Sequence, residues 1–354
     1  MKSRVQGWAI ARFIDAVHGN SEVHVPIRNE ANKRLDLIGN LVILRAGLVG
    51  LIMGLLLFAL AFFLYEHPSV AHYSPLRIFL ILTLMSSVGT GVELMFIYRD
   101  ALGSAARMAS ILGIPQGELE DVDLEHSIPH WLIHAAMGAP GFKATMFGID
   151  PLAHIGKVGH AIRKVLVKLR VAVSATVFKI ILRRLWARLI GRVAVRAFSM
   201  LASLPVFIIL NMIGTRSMIR DMRSRLVGHE LTPNLVAHAF PEGLDALSPG
   251  LHREVFEGLN EQIQTARFMH PNQIRFLQLF PKIELPTEQA TDSEIRRANR
   301  FLLALFFMSG NPTPRCRKLI SKAKLILGDD EFIMVRQEVD DAIHDLTPLT
   351  RSWT

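Results

Sequence analysis

The sequence predicts an all-α membrane protein, and three observations lead to that fold class. The 354-residue chain is 50% hydrophobic and only 20% charged, which is apolar for a soluble protein of this length. Residues 46–65, "AGLVGLIMGLLLFALAFFLY", are 20 consecutive uncharged residues; as a helix they would be about 30 Å long and match the hydrocarbon core of a bilayer. No stretch shows the alternation expected of a β-strand.

A second apolar segment follows closely and completes a transmembrane hairpin over residues 37–100. Residues 78–98 contain a single charged residue, Glu93, and the link between the two spans is short and carries two prolines. The three tyrosines of the chain, Tyr65, Tyr73 and Tyr98, fall at span ends or in the link, where amphipathic rings favour the headgroup level. We therefore expect two antiparallel spanning helices.

The basic residues that flank the hairpin predict its orientation. Seven Lys or Arg residues precede the first span, the link carries only Arg77, and Arg99 and Arg107 follow the second span. Cytoplasmic loops are enriched in Lys and Arg. Both ends of the hairpin, and with them both termini of the chain, are expected on the cytoplasmic side.

Small residues on both spans predict close helix packing. Gly50 and Gly54 form a GxxxG motif on the first span, and Ser87 and Gly91 are small residues four apart on the second. Such faces let helix backbones approach closely in lipid. The two helices can pack on each other, and the same faces could instead join two protomers.

The segments on either side of the hairpin carry weaker patterns. Within residues 1–36, Ile10, Phe13, Ile14 and Val17 fall at helical spacing and predict an amphipathic helix that contacts either the membrane or the protein's own core. Residues 101–150 include the acidic run "GELEDVDLE" and several prolines. We interpret this region as an acidic connector with short helices.

Residues 151–225 form a cationic region, which holds most of the excess positive charge. Residues 151–220 contain 13 Lys or Arg and no Asp or Glu. One helical face carries large apolar residues and the other arginines, the composition of a helix in a membrane interface. The predicted lipid-binding residues are Arg183, Arg184, Trp186, Arg188, Arg192 and Arg196. An acidic partner or self-contact remains an alternative, whereas nucleic acid would not need the apolar face.

Residues 197–215 are 19 uncharged residues interrupted by Pro205 and Asn211. They are long enough to form a third span, but a span would carry the following arginines outside, against the positive-inside tendency. An in-plane or re-entrant helical hairpin is therefore favoured. Residues 226–354 predict a cytoplasmic helical domain, in which Thr291 and Glu294 form a capping box.

Few residues suggest chemistry. No phosphate-binding loop, dinucleotide fingerprint, nucleophile elbow or zinc-protease motif occurs, and the single cysteine, Cys316, excludes an intramolecular disulfide. His126, His130 and His134 are four residues apart and are weak candidates for a metal site. Because Pro129 interrupts this spacing and Trp131 stands beside it, an interfacial or packed helix is favoured.

Glu93 is the possible functional carboxylate, because an ionisable group inside a span is costly and often functional. It lies near the end of its span, so we expect it to reach the interface or to pair with Arg99. A transport or proton-relay role is the alternative.

Two stretches resemble known families. Residues 194–226, with Pro205, Asn211 and Arg216 at the matching positions, resemble the end of the EcsC family of bacterial proteins. This resemblance implies a membrane-associated bacterial protein and hence the inner membrane. Residues 301–328 are similar to a helical pair of the tellurite-resistance TerB type, but the acidic loop of that family is replaced here by Asn311, Pro312 and Thr313.

These features together predict a non-enzymatic membrane scaffold or regulatory protein with no cofactor. The expected partners are anionic phospholipids and other protein subunits or a second copy of the chain, with no nucleic acid. The alternative function is a transport component that uses Glu93 and the interrupted segment 197–215.

Overall fold

A computed structural model describes residues 4–18, 28–66, 75–114, 127–136, 143–153, 204–281, 288–310 and 314–349. The predicted all-α class is confirmed for these ranges, which contain α-helices, two short 3₁₀ turns and no strand beyond one isolated bridge. The α-helices of these ranges are α1 (Arg4–His18), α2 (Arg28–Glu66), α3 (Pro75–Ile111), α4 (Ile128–Ala136), α5 (Leu204–Ala239), α6 (Pro249–Ala266), α7 (Pro271–Leu279), α8 (Asp292–Met308), α9 (Arg317–Leu327) and α10 (Asp329–His344).

The chain divides into two compact units. Unit 1 comprises Met1–Gly39, Ala101–Ala153 and Ser217–Thr354, and unit 2 comprises Asn40–Asp100 and His154–Arg216. Each boundary between the units at residues 39, 100 and 216 falls inside a helix. The described part of unit 2 therefore consists of segments of α2, α3 and α5.

In unit 2, α2 and α3 run antiparallel. Their contacts, in order along α2, are Arg45 with Asp100, Met53 with Gly89 and Leu64 with Ile81. The partner number falls as the α2 number rises, which is the pattern of two antiparallel neighbours. Both helices are long and apolar enough to cross a membrane, over Glu30–Leu64 and Leu80–Ile111. They extend well beyond the predicted spans, because residues 28–45 and 99–111 continue the same helices.

The described part of segment 197–215 is one continuous helix. α5 runs through residues 204–215 and on to Ala239, so the re-entrant turn predicted for 197–215 does not occur within 204–215; residues 197–203 lie outside the described ranges. Pro205 falls in the first described turn, where a missing N–H is tolerated. Leu204 lies against Gly54 and Met212 against Gly47, so α5 is antiparallel to α2 and leads towards the end of the hairpin that holds Arg45.

In unit 1, α8 is the central helix and contacts α6, α9 and α10. The predicted capping box is confirmed at its start, where Thr291 accepts from the backbone of Glu294 and the Glu294 side chain accepts from the backbone N–H of Thr291. Phe301 of α8 is buried, and its ring centroid lies 4.8 Å from that of Phe276 and 5.0 Å from that of Phe240. This aromatic cluster joins the residue that follows α5 to α7 and α8.

The N-terminal helix α1 packs on α4 within unit 1. Phe13 and Val17 are buried, together with Ala9, so the apolar face predicted from sequence covers the protein's own core. The region 101–150, interpreted as a connector, also contributes to that core. Most residues of 101–111 in α3 and most of α4 are buried.

Candidate functional site

Glu93 lies at a contact of three helices in unit 2. Its half-buried carboxylate, on α3, accepts a hydrogen bond from the side-chain amide of Asn211 on α5. The same Nδ2 atom of Asn211 lies 3.4 Å from the main-chain oxygen of Ala46 on α2. One carboxamide therefore bridges a carboxylate of α3 and a carbonyl group of α2.

Gly50 makes room for this contact. A Cβ atom at position 50 would lie 2.6 Å from Nδ2 of Asn211 and 3.4 Å from Oε1 of Glu93. The first distance is shorter than real Cβ contacts allow, so any larger residue would displace the carboxamide. Gly54 plays the same part for Leu204, whose Cδ2 would lie 2.2 Å from a Cβ at position 54.

The GxxxG motif of α2 therefore packs against α5, whereas pairing with Ser87 and Gly91 was predicted. Ser87 is exposed and donates to the carbonyl of Thr83 on its own helix at 2.8 Å. No described atom lies within 4 Å of a Cβ built on Gly91. Gly89 is the glycine of α3 that faces α2, with Cε of Met53 3.1 Å from its Cβ position. The two glycines differ by about 200° around the helix, so the face with Ser87 and Gly91 is not the one that meets α2. That this face joins two protomers instead stays a prediction.

The partner predicted for Glu93 is also different from the one observed. Arg99 is exposed, and in the described part of unit 2 no ion pair joins it to Glu93. The ion pair at this end of the hairpin connects Nη1 of Arg45 with Oδ1 of Asp100 at 3.0 Å. The hydrogen-bond partner of Glu93 is therefore a neutral amide. Asn211 lies 118 residues away in sequence, so the residues near Glu93 could not indicate this partner.

A second polar cluster, which the sequence did not predict, lies inside unit 1. Arg225 of α5 is 1% exposed; its Nη2 lies 2.7 Å from Oδ2 of Asp221, and its Nη1 donates to the carbonyl of Trp131 at 2.7 Å. Nε2 of His270 lies 3.9 Å from Oδ1 of Asp221. These contacts tie α5 to α4 and to the start of α7.

The pKa values in this cluster follow from burial and charge. Burial lowers the pKa of His270, against the opposing effect of Asp221, so the imidazole is neutral at pH 7. For Asp221, burial raises the pKa, but the interaction with His270 and the charge of Arg225 outweigh it and hold the pKa below its usual value. The cluster is therefore an ion pair beside a neutral histidine. Its contacts hold neighbouring helices of unit 1 together.

Arg223 is a second buried arginine of α5. Its Nη1 lies 2.6 Å from Oδ1 of Asp36, and its Nε donates to the carbonyl of Ile343 at 3.0 Å. The side chain also contacts Asn32 and the carbonyl of His344. From sequence, Arg223 and Arg225 counted among the basic flanks of segment 197–215, but both are used inside unit 1.

Two of the three histidines proposed as weak metal candidates lie on α4, and His126 lies outside the described residues. His130 is buried and His134 is half-buried. Burial lowers the pKa of His134, and the charge of Arg225 and the nearby His130 lower it further. Within the described ranges no group of three His, Cys, Asp or Glu side chains could hold a metal ion. Trp131 is buried, with its ring 5.5 Å from that of His229, so α4 is a packed helix.

The predicted lipid-binding residues Arg183, Arg184, Trp186, Arg188, Arg192 and Arg196 lie outside the described residues. Comparison of the chain with family models, with curated proteins and with solved structures finds no match. The resemblances to the EcsC family and to a TerB-type pair therefore stay predictions.

Proposed function

We propose that the chain is a non-enzymatic scaffold or regulatory protein of the bacterial inner membrane, anchored by the α2–α3 hairpin. The observation that carries this proposal is the outer surface of unit 2. Among the described residues, 19 of the 23 exposed large hydrophobic side chains belong to unit 2. In the most apolar 18-residue stretches of α2 and α3, only 22% and 11% of the residues are buried, whereas the core helices of a soluble protein are mostly buried.

An apolar surface of this kind needs a solvent other than water. Leu56, Phe62 and Leu84 are each more than half exposed, and apolar patches larger than a few hundred Å² are rare on soluble proteins. The helices are closed hydrogen-bonded structures, as lipid requires. The surface is therefore suited to acyl chains.

The proposed topology places both termini in the cytoplasm. Arg45 and Asp100 pair at one end of the hairpin, the end that also carries most of the flanking cations. α5 leads towards this same end, so Arg216 stays with the cytoplasmic cations. The expected partners are anionic phospholipids, through the cationic residues 151–220, and other protein subunits or a second copy of the chain. The EcsC resemblance agrees with a membrane location.

Cysteine accessibility tests this topology in whole cells. With Cys316 replaced by alanine, a cysteine at Ser69, in the link, should react with an impermeant reagent from outside. A cysteine at Ser3 should react only after the membrane is opened. The reverse pattern, or equal labelling of both sites, would contradict the anchor and its orientation.

A transport component is the second candidate function, and the Glu93–Asn211 contact is the observation that favours it. It joins the carboxylate of the hairpin to the segment 197–215, the two parts of the chain that such a role would use. A carboxylate inside a span is a candidate proton carrier. In the scaffold proposal the same contact only fastens α5 to the hairpin.

Two substitutions at Glu93 separate these functions. Glu93→Gln keeps an oxygen that accepts from Asn211 but cannot exchange a proton, whereas Glu93→Leu removes the acceptor. For a scaffold, the glutamine variant should melt near the wild type, the leucine variant should melt earlier, and proteoliposomes of the wild type should pass no protons beyond the empty-vesicle leak. A proton flux that disappears in Glu93→Gln would establish the transport function.

A further inference from the structure

The surface of unit 1 contains a cationic helix, α9. Residues 314–328 hold five Lys or Arg and no Asp or Glu. Ala323 and Leu327 of α9 are buried against the domain, and its cations are exposed. The exposed cations of this segment are Arg315, Arg317, Lys318, Lys322 and Lys324.

Leu325 lies on this cationic face, near the C-terminal end of α9. It is 87% exposed, the largest exposure among the large hydrophobic side chains described. Lys318 and Lys322 precede it by seven and three residues and so share its side of the helix. The described residues of unit 1 leave most of the Leu325 side chain uncovered, so a partner is needed to bury it.

The cations around Leu325 are only partly neutralised. Lys322 lies 3.5 Å from Glu261 and Lys324 lies 3.1 Å from Asp329, all four at exposed positions, where such pairs are weak. Arg315, Arg317 and Lys318 have no acidic partner among the described residues. The next helix is the opposite in charge, since α10 begins with Asp329, Asp330 and Glu331.

We propose that the exposed face of α9 binds the anionic surface of a membrane, with Leu325 in the headgroup region and the cations of α9 on lipid phosphates. A nucleic acid or an acidic protein patch would satisfy the charges, but an anionic leaflet also offers an apolar layer directly beneath them. Each Lys or Arg near such a leaflet contributes about 1 kcal/mol. This inference rests on the proposed anchor, which keeps unit 1 at high effective concentration near lipid.

The test uses the full chain in nanodiscs, with Cys316 replaced by alanine and an environment-sensitive fluorophore on Leu325→Cys. The discs contain phosphatidylcholine alone or mixed with phosphatidylglycerol. Ile333→Cys is the matched control, because Ile333 is also an exposed apolar residue, at 58%, but lies on the acidic α10. The label at 325 should shift to the blue only in the anionic discs, and high salt should reverse the shift. The emission of the label at 333 should indicate a water-exposed position in both kinds of disc.

A charge variant guards against effects of the label itself. Arg317→Gln together with Lys318→Gln should reduce the shift at 325 in anionic discs at least twofold, whereas Arg336→Gln on α10 should leave it unchanged. The absence of a blue shift at 325 in anionic discs, or equal shifts at 325 and 333, overturns the proposal. A protein whose hairpin does not insert would fail to enter the discs at all, so failure of the anchor is seen separately.

Discussion

Unit 1 and unit 2 share one packing feature, a glycine next to an asparagine carboxamide, but differ in how much apolar side-chain surface they expose. In unit 1, a Cβ on Gly228 would lie 2.0 Å from Nδ2 of Asn272, and this atom donates to the carbonyls of Ser224 at 3.2 Å and Met308 at 2.8 Å. In unit 2, Gly50 makes the same room for Asn211. In both units a glycine lets a carboxamide reach the backbone of a neighbouring helix.

The surroundings of the two glycines are opposite. Asn272 is fully buried, and unit 1 encloses its large apolar side chains with few exceptions. The helices around Asn211 expose many of their large apolar side chains. A glycine beside a carboxamide thus packs helices in both units, and the two units differ in how many large apolar side chains they expose. The proposal of a membrane anchor rests on this difference.

The largest expected effect is in unit 1, where charge is buried. Arg225→Met should lower the free energy of unfolding of this unit by about 3 kcal/mol, because Asp221 would keep its charge without its partner and the carbonyl of Trp131 would lose a donor. Thermal melting followed by circular dichroism in detergent measures it. Arg336→Met, at an exposed pair, is the control and should cost about 0.5 kcal/mol or less. Equal costs would show that the cluster does not stabilise unit 1.

Alanine substitutions at the two glycines test the glycine–carboxamide contacts directly. Gly228→Ala should destabilise unit 1 by about 2–3 kcal/mol, because the new methyl group overlaps a buried carboxamide. Gly50→Ala should cost about 1–2 kcal/mol, because Asn211 is only half-buried and can move. Melting temperatures of the two variants measure the difference.

Each glycine has a matched control in its own unit. No described atom lies within 4 Å of a Cβ on Gly103 of unit 1 or Gly214 of unit 2, so alanine there should be neutral or stabilise the helix by up to about 1 kcal/mol. Removing the carboxamide first, with Asn211→Ala, should make Gly50→Ala nearly harmless. If Gly50→Ala costs the same in both backgrounds, the two residues are not coupled.

The smallest expected effect is the pH dependence of unit 1. The pKa of buried His270 is lowered, so the unfolded chain binds a proton that the folded unit does not. Stability is therefore complete above the unfolded pKa of about 6.5 and falls as the pH drops below it, by at most about 1.4 kcal/mol per pH unit for one group. His270→Asn keeps a side chain that can cap α7 and should flatten the slope between pH 6.5 and 5. An unchanged slope would assign the titration to His134 or His252.

Local patterns predicted much of this fold, and long-range contacts explain what they missed. The apolar runs located α2 and α3, and the Thr291–Glu294 box located the start of α8, since both depend on neighbouring residues alone. The Glu93–Asn211 contact joins residues 118 apart, and its formation depends on which faces of three helices meet. The spacing of small residues did not distinguish Gly89 from Gly91, because that choice depends on the rotation of α3 against α2.

The arginines of α5 show the same limit for charge. Arg223 and Arg225 lie close to an apolar segment in sequence, which suggested flanking charges near a leaflet. They are buried because Asp36 and backbone carbonyls from distant parts of the chain supply partners, in addition to Asp221 one helical turn before Arg225. A single sequence gives the charge of a side chain but not the position of its partner.

Spin-label accessibility in membranes tests the proposal that lipid surrounds the apolar surface of unit 2 while α10 of unit 1 faces water. On a Cys316→Ala background, one nitroxide is attached at Leu56 of α2, which is 58% exposed, and another at the exposed Gln337 of α10. If the hairpin spans the membrane, the Leu56 label should collide readily with oxygen and rarely with a polar nickel chelate, and the Gln337 label should do the opposite. A Leu56 label that the nickel chelate reaches as readily as it reaches the Gln337 label would contradict the proposed membrane anchor.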